Sequence, residues 1–326
     1  MPLIESQYIA PWPFKNPHIH TLFPYFFRKV EGVNYVRQRM ELPDGDFIDL
    51  DWSKVENGRE LVVLAHGLEG SSKQPYMLGM VKILNPKEID VVALNFRSCS
   101  GENNRLPRFY HMGDTEDLRF LIKWLEKNTS YKKVSLIGHS LGANVILKYL
   151  GEEGDRKSSI LYKAITFSCP VDLNASCEKI SHGENVVYMF NFLHTMKNKL
   201  KDKFKSGILQ GSNINYAGAI DAKNFNEWDD RVTAPLHGFL NHRDYCEKAC
   251  CYDGLQKIKI PCLLVNALDD PFLSPGCFPR EIAQNNSFFY FEQTTTGGHV
   301  GFIPELGTNG FYWSEWRALE FLQQKI

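Results

Sequence analysis

The chain has 326 residues, of which 43% are hydrophobic and 23% are charged, and its formal net charge is −1. This composition is typical of a soluble globular protein and suits one large α/β domain with an insertion, or two small domains. A charge near zero gives no general attraction to nucleic acid or to an anionic membrane. With no signal peptide and no membrane-spanning stretch visible, we expect a cytoplasmic protein with no nucleic-acid partner and no integral membrane segment.

Residues 11–30, PWPFKNPHIHTLFPYFFRKV, are rich in proline and aromatic residues and show no regular period. Buried aromatic rings usually serve packing, so we interpret this segment as an arm that lies on the domain. A lining for an apolar site is the alternative. His18 and His20 have no metal-ligating neighbours in sequence and are interpreted as structural.

Two segments with partial alternation, Val33 to Leu42 and Phe47 to Trp52, flank the turn residues Pro43-Asp44-Gly45 and predict a hairpin at a sheet edge. Later apolar runs are continuous, which is typical of parallel strands that are buried on both faces. These runs are Leu61 to Ala65, Val91 to Leu94, Val134 to Ile137, Ala164 to Phe167 and Cys262 to Val265.

Helical patterns lie between the apolar runs, at Tyr76 to Leu84, Thr115 to Lys127 and Ser140 to Leu150. Repeated alternation of strand and helix predicts an α/β fold with a mostly parallel sheet and helices on both faces. Ser287 to Glu292 is predicted as a last strand, and apolar spacing from Trp313 to Leu322 predicts a closing helix.

The strand at Val134 to Ile137 leads directly into Gly138-His139-Ser140-Leu141-Gly142 and then into a helix. This is the strand, turn and helix context of a nucleophile elbow, in which G-x-S-x-G exposes a serine above the sheet. Glycines fit the tight turn, and the helix N-terminus favours developing negative charge. Ser140 is therefore the candidate nucleophile, and it requires a histidine base and an acid that orients the histidine.

Residues from about 172 to 237 carry no buried-strand signal, and we predict a helical cap there. One stripe at helical spacing comprises Val186, Phe190, Leu193, Met196, Leu200 and Phe204. The opposite face carries Lys197, Lys199, Lys201, Lys203 and Lys205, which we interpret as a solvated face; a membrane-surface helix is the alternative.

Several potential metal ligands follow, namely His237, His242, Cys246, Cys250 and Cys251, but their spacing matches no standard zinc pattern. Thiols that face a core from a helix are the simpler interpretation. Eight scattered cysteines likewise suggest reduced thiols rather than a disulfide framework. We predict no metal and no organic cofactor.

The partners of a serine in such a sheet follow it in the order acid and then histidine. Asp269 and Asp270 lie just beyond the predicted strand Cys262 to Val265, and either could supply the acid. His299 follows Gly297 and Gly298 and is the only histidine after Asp270. For the oxyanion hole we predict the backbone N–H groups of Leu141 and of Leu68, which follows Gly67 after the first buried parallel strand.

The sequence resembles the YheT-like branch of the α/β-hydrolase fold. The shared motifs are PHIHT, HGLEGSS, NFRSCSGENN, RFYHMGDTEDL, GHSLGANV, NALDDPF and GGHVGF, which span most of the chain. The resemblance implies a triad carried here by Ser140, Asp270 and His299, with Asp270 preferred over a turn-capping Asp269. It also implies hydrolysis of carboxylic or lipid esters. Ser98 departs from the family, where related sequences often have glycine.

We therefore expect a single α/β-hydrolase domain over residues 1–326 that acts as a serine esterase on a small-molecule ester. The acyl group is expected to be apolar and to bind between the top edge of the sheet and the Val186 to Phe204 helix. Thioester hydrolysis or acyl transfer by the same triad is one alternative. A non-catalytic binding protein with a hydrolase-like fold is another, and a missing triad residue would favour it.

Overall fold

A computed structural model of the chain describes residues 2–304 and 310–324. Its strands form one sheet in which the apolar runs of the sequence occupy the central positions, because those runs can be buried on both faces. The nine strands are β1 (Leu3–Glu5), β2 (Val36–Glu41), β3 (Phe47–Ser53), β4 (Glu60–Ala65), β5 (Ile89–Asn95), β6 (Val134–His139), β7 (Leu161–Phe167), β8 (Cys262–Ala267) and β9 (Phe289–Thr294).

The α-helices fall into two groups: those that lie outside the insertion between β7 and β8 and those that form it. The first group comprises α1 (Pro17–Phe27), α2 (Pro75–Leu84), α3 (Glu116–Asn128), α4 (Leu141–Glu153), α11 (Arg280–Asn285) and α12 (Trp313–Gln323). The insertion contains α5 (Leu173–Ile180), α6 (Val186–Lys205), α7 (Tyr216–Ile220), α8 (Phe225–Trp228), α9 (Ala234–His237) and α10 (His242–Ala249).

The sheet has the order β1-β9-β8-β7-β6-β4-β5-β3-β2. All neighbours run parallel except β2 with β3 and β3 with β5, so the predicted hairpin forms one edge. Val63 of β4 lies opposite Val92 of β5 and Leu136 of β6, which places the central apolar runs in register. The prediction of a mostly parallel sheet flanked by helices is confirmed; the edge strand β1, which pairs with β9, was not predicted.

Helices cover both faces of the sheet, so the core has two apolar layers. One layer packs α3 and α4 against the sheet, with Leu121 and Ile146 fully buried. The other layer packs α2 and α12, with Met80 and Phe321 fully buried. The strands end with their carboxyl ends at one edge of this sandwich, which is where ligands of open parallel sheets bind.

The orientation of α6 corrects two predictions. Phe190 and Phe204, placed in the apolar stripe, are exposed, and Lys199 and Lys203, placed on the solvated face, point inward. The buried face instead carries Met189, Leu193, Leu200 and Lys203. Lys203 is accommodated because its ammonium group donates hydrogen bonds to the carbonyl oxygens of Leu106 and Arg108 at 2.5 and 2.9 Å.

Candidate active site

Ser140 occupies the sharp turn between β6 and α4. Its φ of +53° is a strained conformation for a residue with a side chain, and this conformation lifts the hydroxyl out of the chain path. Gly138 and Gly142 make the turn possible, because a Cβ at Gly138 would lie 2.6 Å from the Gly142 carbonyl oxygen and one at Gly142 would collide with Ala65. The turn therefore presents Ser140 at the N-terminus of α4.

The structure brings Ser140, His299 and Asp270 into one hydrogen-bonded chain. The Ser140 Oγ lies 2.8 Å from His299 Nε2, and His299 Nδ1 lies 2.9 Å from Asp270 Oδ2. The Asp270 side chain is fully buried, and its second oxygen accepts the Phe272 N–H at 2.8 Å. With Nδ1 protonated toward Asp270, Nε2 is free to accept the serine proton.

Asp269 has a different position from Asp270. Its Oδ1 accepts the N–H of Gly298 at 2.9 Å, so it ties down the loop that carries His299 rather than the imidazole ring. Burial raises the pKa of Asp269 to about 6. Asp269 thus binds the backbone of the loop that carries His299, and Asp270 binds the His299 side chain.

Two further hydroxyl groups hold the His299 loop, and sequence reasoning assigned neither. The Thr21 Oγ1 accepts the His299 N–H at 2.9 Å while donating to the Pro17 carbonyl oxygen at 2.7 Å. The Ser168 Oγ accepts the Val300 N–H at 2.9 Å. The available signal for Thr21 was its place in the PHIHT motif, which was interpreted only as part of a packing arm.

Leu68 and Leu141, the predicted oxyanion donors, both line the cavity beside Ser140. A Cβ on Gly67 would lie 3.3 Å from the Ser140 Cβ, so the Leu68 loop passes directly over the serine. Within the described residues, neither the Leu68 nor the Leu141 N–H donates a hydrogen bond to another protein group. Two free amides next to a nucleophile suit the stabilisation of an oxyanion.

An ion pair holds the Leu68 loop against α6. The Lys199 ammonium lies 2.9 Å from Glu69 Oε1, which also accepts the Tyr110 hydroxyl at 2.9 Å. The Tyr110 oxygen in turn accepts the Glu69 N–H at 2.7 Å. Lys199, predicted to be solvated, therefore fixes the residue that follows Leu68.

An apolar cavity of about 1100 Å³, including its open mouth, extends from Ser140 and His299 beneath the insertion. Apolar side chains of the insertion form much of its wall, including Leu173 of α5, Phe192 and Met196 of α6, and Phe225 and Trp228 of α8. Phe190, which we placed in the apolar stripe, does not line the cavity. The cavity lies between the sheet edge and α6, and binding of an acyl group there stays a prediction.

Buried titratable groups also line the cavity. Asp229, in a single π-helical turn, accepts the Thr233 hydroxyl at 2.6 Å, and burial raises the pKa of its carboxyl to about 7. Burial lowers the pKa of His111 to about 3 and that of His237 to about 2, so both rings are neutral at pH 7. The wall thus carries no fixed positive charge from these histidines.

Among the residues that the structure describes, Cys246 is the one member of the predicted His/Cys group that lies close to other potential metal ligands. Its Sγ, the Cys177 Sγ and a carboxylate oxygen of Asp229 lie within 4.8 Å of one another. This is one ligand short of the four that close a structural zinc site, and Thr233 already hydrogen-bonds the carboxylate. Cys246 also packs with Leu173, Tyr245 and Ala249, as expected of a helix-borne thiol that faces a core.

Ser98 lies in a loop with a left-handed backbone conformation. Its φ of +61° is a conformation that glycine adopts more easily. The Asn104 side chain accepts the Ser98 N–H, and the Ser98 hydroxyl accepts the Asn104 N–H at 3.1 Å. The loop is thus held by side-chain hydrogen bonds at a position that glycine would occupy with less strain.

No helix in the described part of the chain combines the length and the apolar character needed to span a bilayer. A family model of the alpha/beta hydrolase fold matches residues 60–306. An Escherichia coli (strain K12) protein named "Putative esterase YheT" is 33% identical over 98% of this chain and 93% of its own length. Human Phospholipase ABHD3 is 28% identical over 92% of this chain and 74% of its own length.

Among solved structures, the Pyrococcus furiosus esterase Pf2001 superposes with a TM-score of 0.58. The alignment covers 96% of this chain and 98% of that chain, at 17% sequence identity. At this level of identity the likeness concerns the fold.

Proposed function

The chain belongs to the α/β-hydrolase fold family, in its YheT-like branch, and we propose that it is a serine esterase that cleaves esters of medium-chain, lipid-like acyl groups. The single observation that carries this proposal is the hydrogen-bonded chain from Ser140 through His299 to Asp270, placed at the mouth of an apolar cavity. A nucleophile, a base and an acid that orients the base are the groups that catalyse acyl transfer in serine hydrolases.

In the proposed mechanism, the Ser140 Oγ attacks the ester carbonyl carbon while His299 Nε2 takes the hydroxyl proton. The resulting oxyanion accepts hydrogen bonds from the Leu68 and Leu141 amides, each worth roughly 3 kcal/mol in the transition state. The imidazolium then gives its proton to the departing alkoxide. Asp270 stabilises the imidazolium and holds the ring in the required orientation.

The acyl-enzyme formed in this way is opened by water. His299 takes a proton from the water molecule, the hydroxide attacks the acyl carbon, and the Ser140 oxygen recovers its proton as the carboxylic acid leaves. These steps need no metal and no organic cofactor. A thioester follows the same course, with a thiolate as the first leaving group.

The cavity supports an apolar acyl group as the part of the substrate that the protein selects. Each buried methylene contributes up to about 0.8 kcal/mol of binding free energy, so longer acyl chains should bind more strongly until the cavity is filled. The names of two relatives, an esterase and a phospholipase, agree with carboxylic esters of this kind.

A series of p-nitrophenyl esters from acetate to long-chain acyl groups tests this proposal, with matched acyl thioesters as a second series. We expect kcat/KM to climb from acetate toward medium chains, and Ser140→Ala to abolish turnover of every ester. A profile that is flat or falls from acetate onward would remove the support for lipid-like acyl groups. Undiminished hydrolysis by Ser140→Ala would overturn the esterase proposal, and a preference for thioesters would reassign the leaving group.

A further inference from the structure

The helix α1 has its polarity reversed relative to an ordinary surface helix. The side that faces the protein carries His20 and Thr21, and Arg28 follows on the same side. The side that faces solvent carries apolar residues at helical spacing, namely Ile19, Phe23, Phe26 and Phe27. Phe26 and Phe27 are 64% and 68% exposed. Surface helices normally place the apolar stripe against the core and the polar side in water.

Strong polar contacts on the inner side hold this orientation. His20 is fully buried and accepts the Ile303 N–H at 3.0 Å. Arg28 forms an ion pair with the buried Glu315 at 2.6 Å, and its guanidinium lies 3.6 Å from the centre of the Tyr312 ring. Thr21 bonds the His299 loop, as described above. The outward aromatic side chains are therefore a fixed surface.

The outward rings pack on one another rather than on the domain. Phe23 lies 5.1 Å from Phe27 and 4.8 Å from Phe14, measured between ring centres. Trp12, which precedes the helix, is 80% exposed. Contiguous exposed apolar surface of this kind marks an interaction site, and aromatic rings favour the interface between lipid and water.

The charge around α1 selects the kind of partner. The sequence contains no aspartate or glutamate between Glu5 and Glu31, whereas Lys15 and Lys29 are exposed at the two ends of the aromatic surface. The one carboxylate that the described residues bring against α1 on its exposed side is that of Glu184, which lies 3.2 Å from His18 Nε2. The protein as a whole has a formal charge of −1, so this cationic character is local. Exposed lysines beside apolar residues complement a surface of anionic headgroups over hydrocarbon.

The aromatic surface also adjoins the insertion. The His18 ring stacks on Tyr188 of α6 with ring centres 5.8 Å apart, and its Nδ1 lies 3.1 Å from the Tyr188 hydroxyl. Next to Tyr188 on α6, Val187 and Phe190 are exposed apolar residues. Phe190, which does not reach the cavity, thus lies on the helix that α1 touches.

We propose that the outer face of α1, formed by Ile19, Phe23, Phe26 and Phe27, is a docking surface for a phospholipid bilayer that contains anionic headgroups. The aromatic rings enter the boundary between headgroups and acyl chains, and Lys15 and Lys29 contact the phosphates. Docking does not require Ser140 to react, so this proposal stands apart from the proposed function. A bilayer bound at α1 would lie next to the His299 loop.

Flotation of the full-length protein with vesicles tests the proposal. We expect the protein to float with phosphatidylcholine vesicles that contain phosphatidylglycerol, and less with phosphatidylcholine alone. The double variant Phe26→Ser/Phe27→Ser should lose at least about tenfold in partitioning, because two inserted rings are removed. Lys15→Gln/Lys29→Gln should reduce only the preference for anionic vesicles.

Two control variants and one activity assay accompany the flotation experiment. Leu240→Ser removes an apolar side chain that is 85% exposed elsewhere, and this variant should float like the wild type. Ser140→Ala should also float like the wild type, which separates docking from catalysis. Hydrolysis of soluble p-nitrophenyl acetate should be unchanged in Phe26→Ser/Phe27→Ser, as a check on its fold.

Three outcomes would overturn the proposal. The first is a wild-type protein that floats with neither vesicle, and the second is a double variant that floats as well as the wild type. The third is a concentration-dependent dimer in sedimentation that the double variant abolishes while vesicle binding is absent. That last result would identify the face as a contact between two copies of the chain.

Discussion

At the scale of single residues, the neighbouring carboxyl groups of Asp270 and Asp269 have separable tasks. We expect Asp270→Asn to lower kcat by about 10³- to 10⁴-fold, because the amide no longer holds the productive tautomer of His299. Asp269→Asn is the matched control: its amide oxygen can still accept the Gly298 N–H, so its effect should be far smaller. Steady-state kinetics on one ester compares them, and a reversal of the two effects would exchange the assignments.

Asp229 predicts a pH dependence of stability. The pKa of its buried carboxyl is about 7 in the folded protein, against 3.8 in an ordinary setting, so between these values the folded state binds more protons than the unfolded state. This group therefore destabilises the fold increasingly as pH rises from about 4 to 7, by roughly 1.4 kcal/mol per pH unit at most, and by a constant amount above that range.

Asp229→Asn removes this penalty while keeping an acceptor for the Thr233 hydroxyl. Urea unfolding of both proteins should show the variant gaining stability over the wild type as pH rises from 5 to 7. A difference between the two proteins that does not change with pH would mean that Asp229 titrates normally.

At the scale of elements, α6 both lines the cavity and holds the Leu68 loop through Lys199. Phe192→Ala and Met196→Ala each remove part of the cavity wall and so enlarge the cavity. The rise of kcat/KM with acyl length should therefore flatten, while acetate hydrolysis persists. Phe190→Ala is the control on the same helix, because that side chain is exposed and outside the cavity. The ester series measures all three variants; equal chain-length profiles in the wild type and the Phe192 variant would show that α6 does not bind the acyl group.

Lys199→Met tests the second role of α6. Removing the ammonium leaves Glu69 buried without its cationic partner, which typically costs about 3–5 kcal/mol. We expect a lower thermal midpoint and a lower kcat with little change in KM, since the Leu68 amide loses its fixed position. Lys205→Met, at an exposed position of α6, should change neither quantity. A Lys199 variant with normal kcat would show that the ion pair with Glu69 contributes to stability and not to catalysis.

Most of the strands and several helices could be predicted from the sequence, whereas the orientation of α6 could not. Apart from β1, the strands were predictable, as were α2, α3 and α4, because burial on both faces or on one stripe leaves a local pattern. The orientation of α6 was not, because Lys199 and Lys203 look like solvated residues until their partners are known. Glu69 is 130 residues from Lys199 in sequence, and helical spacing contains no information about that contact.

At the scale of the whole molecule, the site is assembled from distant parts of the chain. Ser140, the acid pair and His299 could be proposed because strand order fixes where they meet. Thr21 could not, since it is 278 residues from His299 and acts through the packing of α1 on the His299 loop. The reversed polarity of α1 was equally hidden, because its aromatic residues suggest a buried arm in sequence.

The central claim is that Ser140 is a nucleophile activated by His299. Reaction of the full chain with a fluorophosphonate, followed by peptide mass mapping, tests it most directly. We predict a single adduct on the peptide that contains Ser140, no adduct in Ser140→Ala, and much slower labelling in His299→Ala. An adduct on another residue, or labelling of Ser140→Ala equal to the wild type, would contradict the claim.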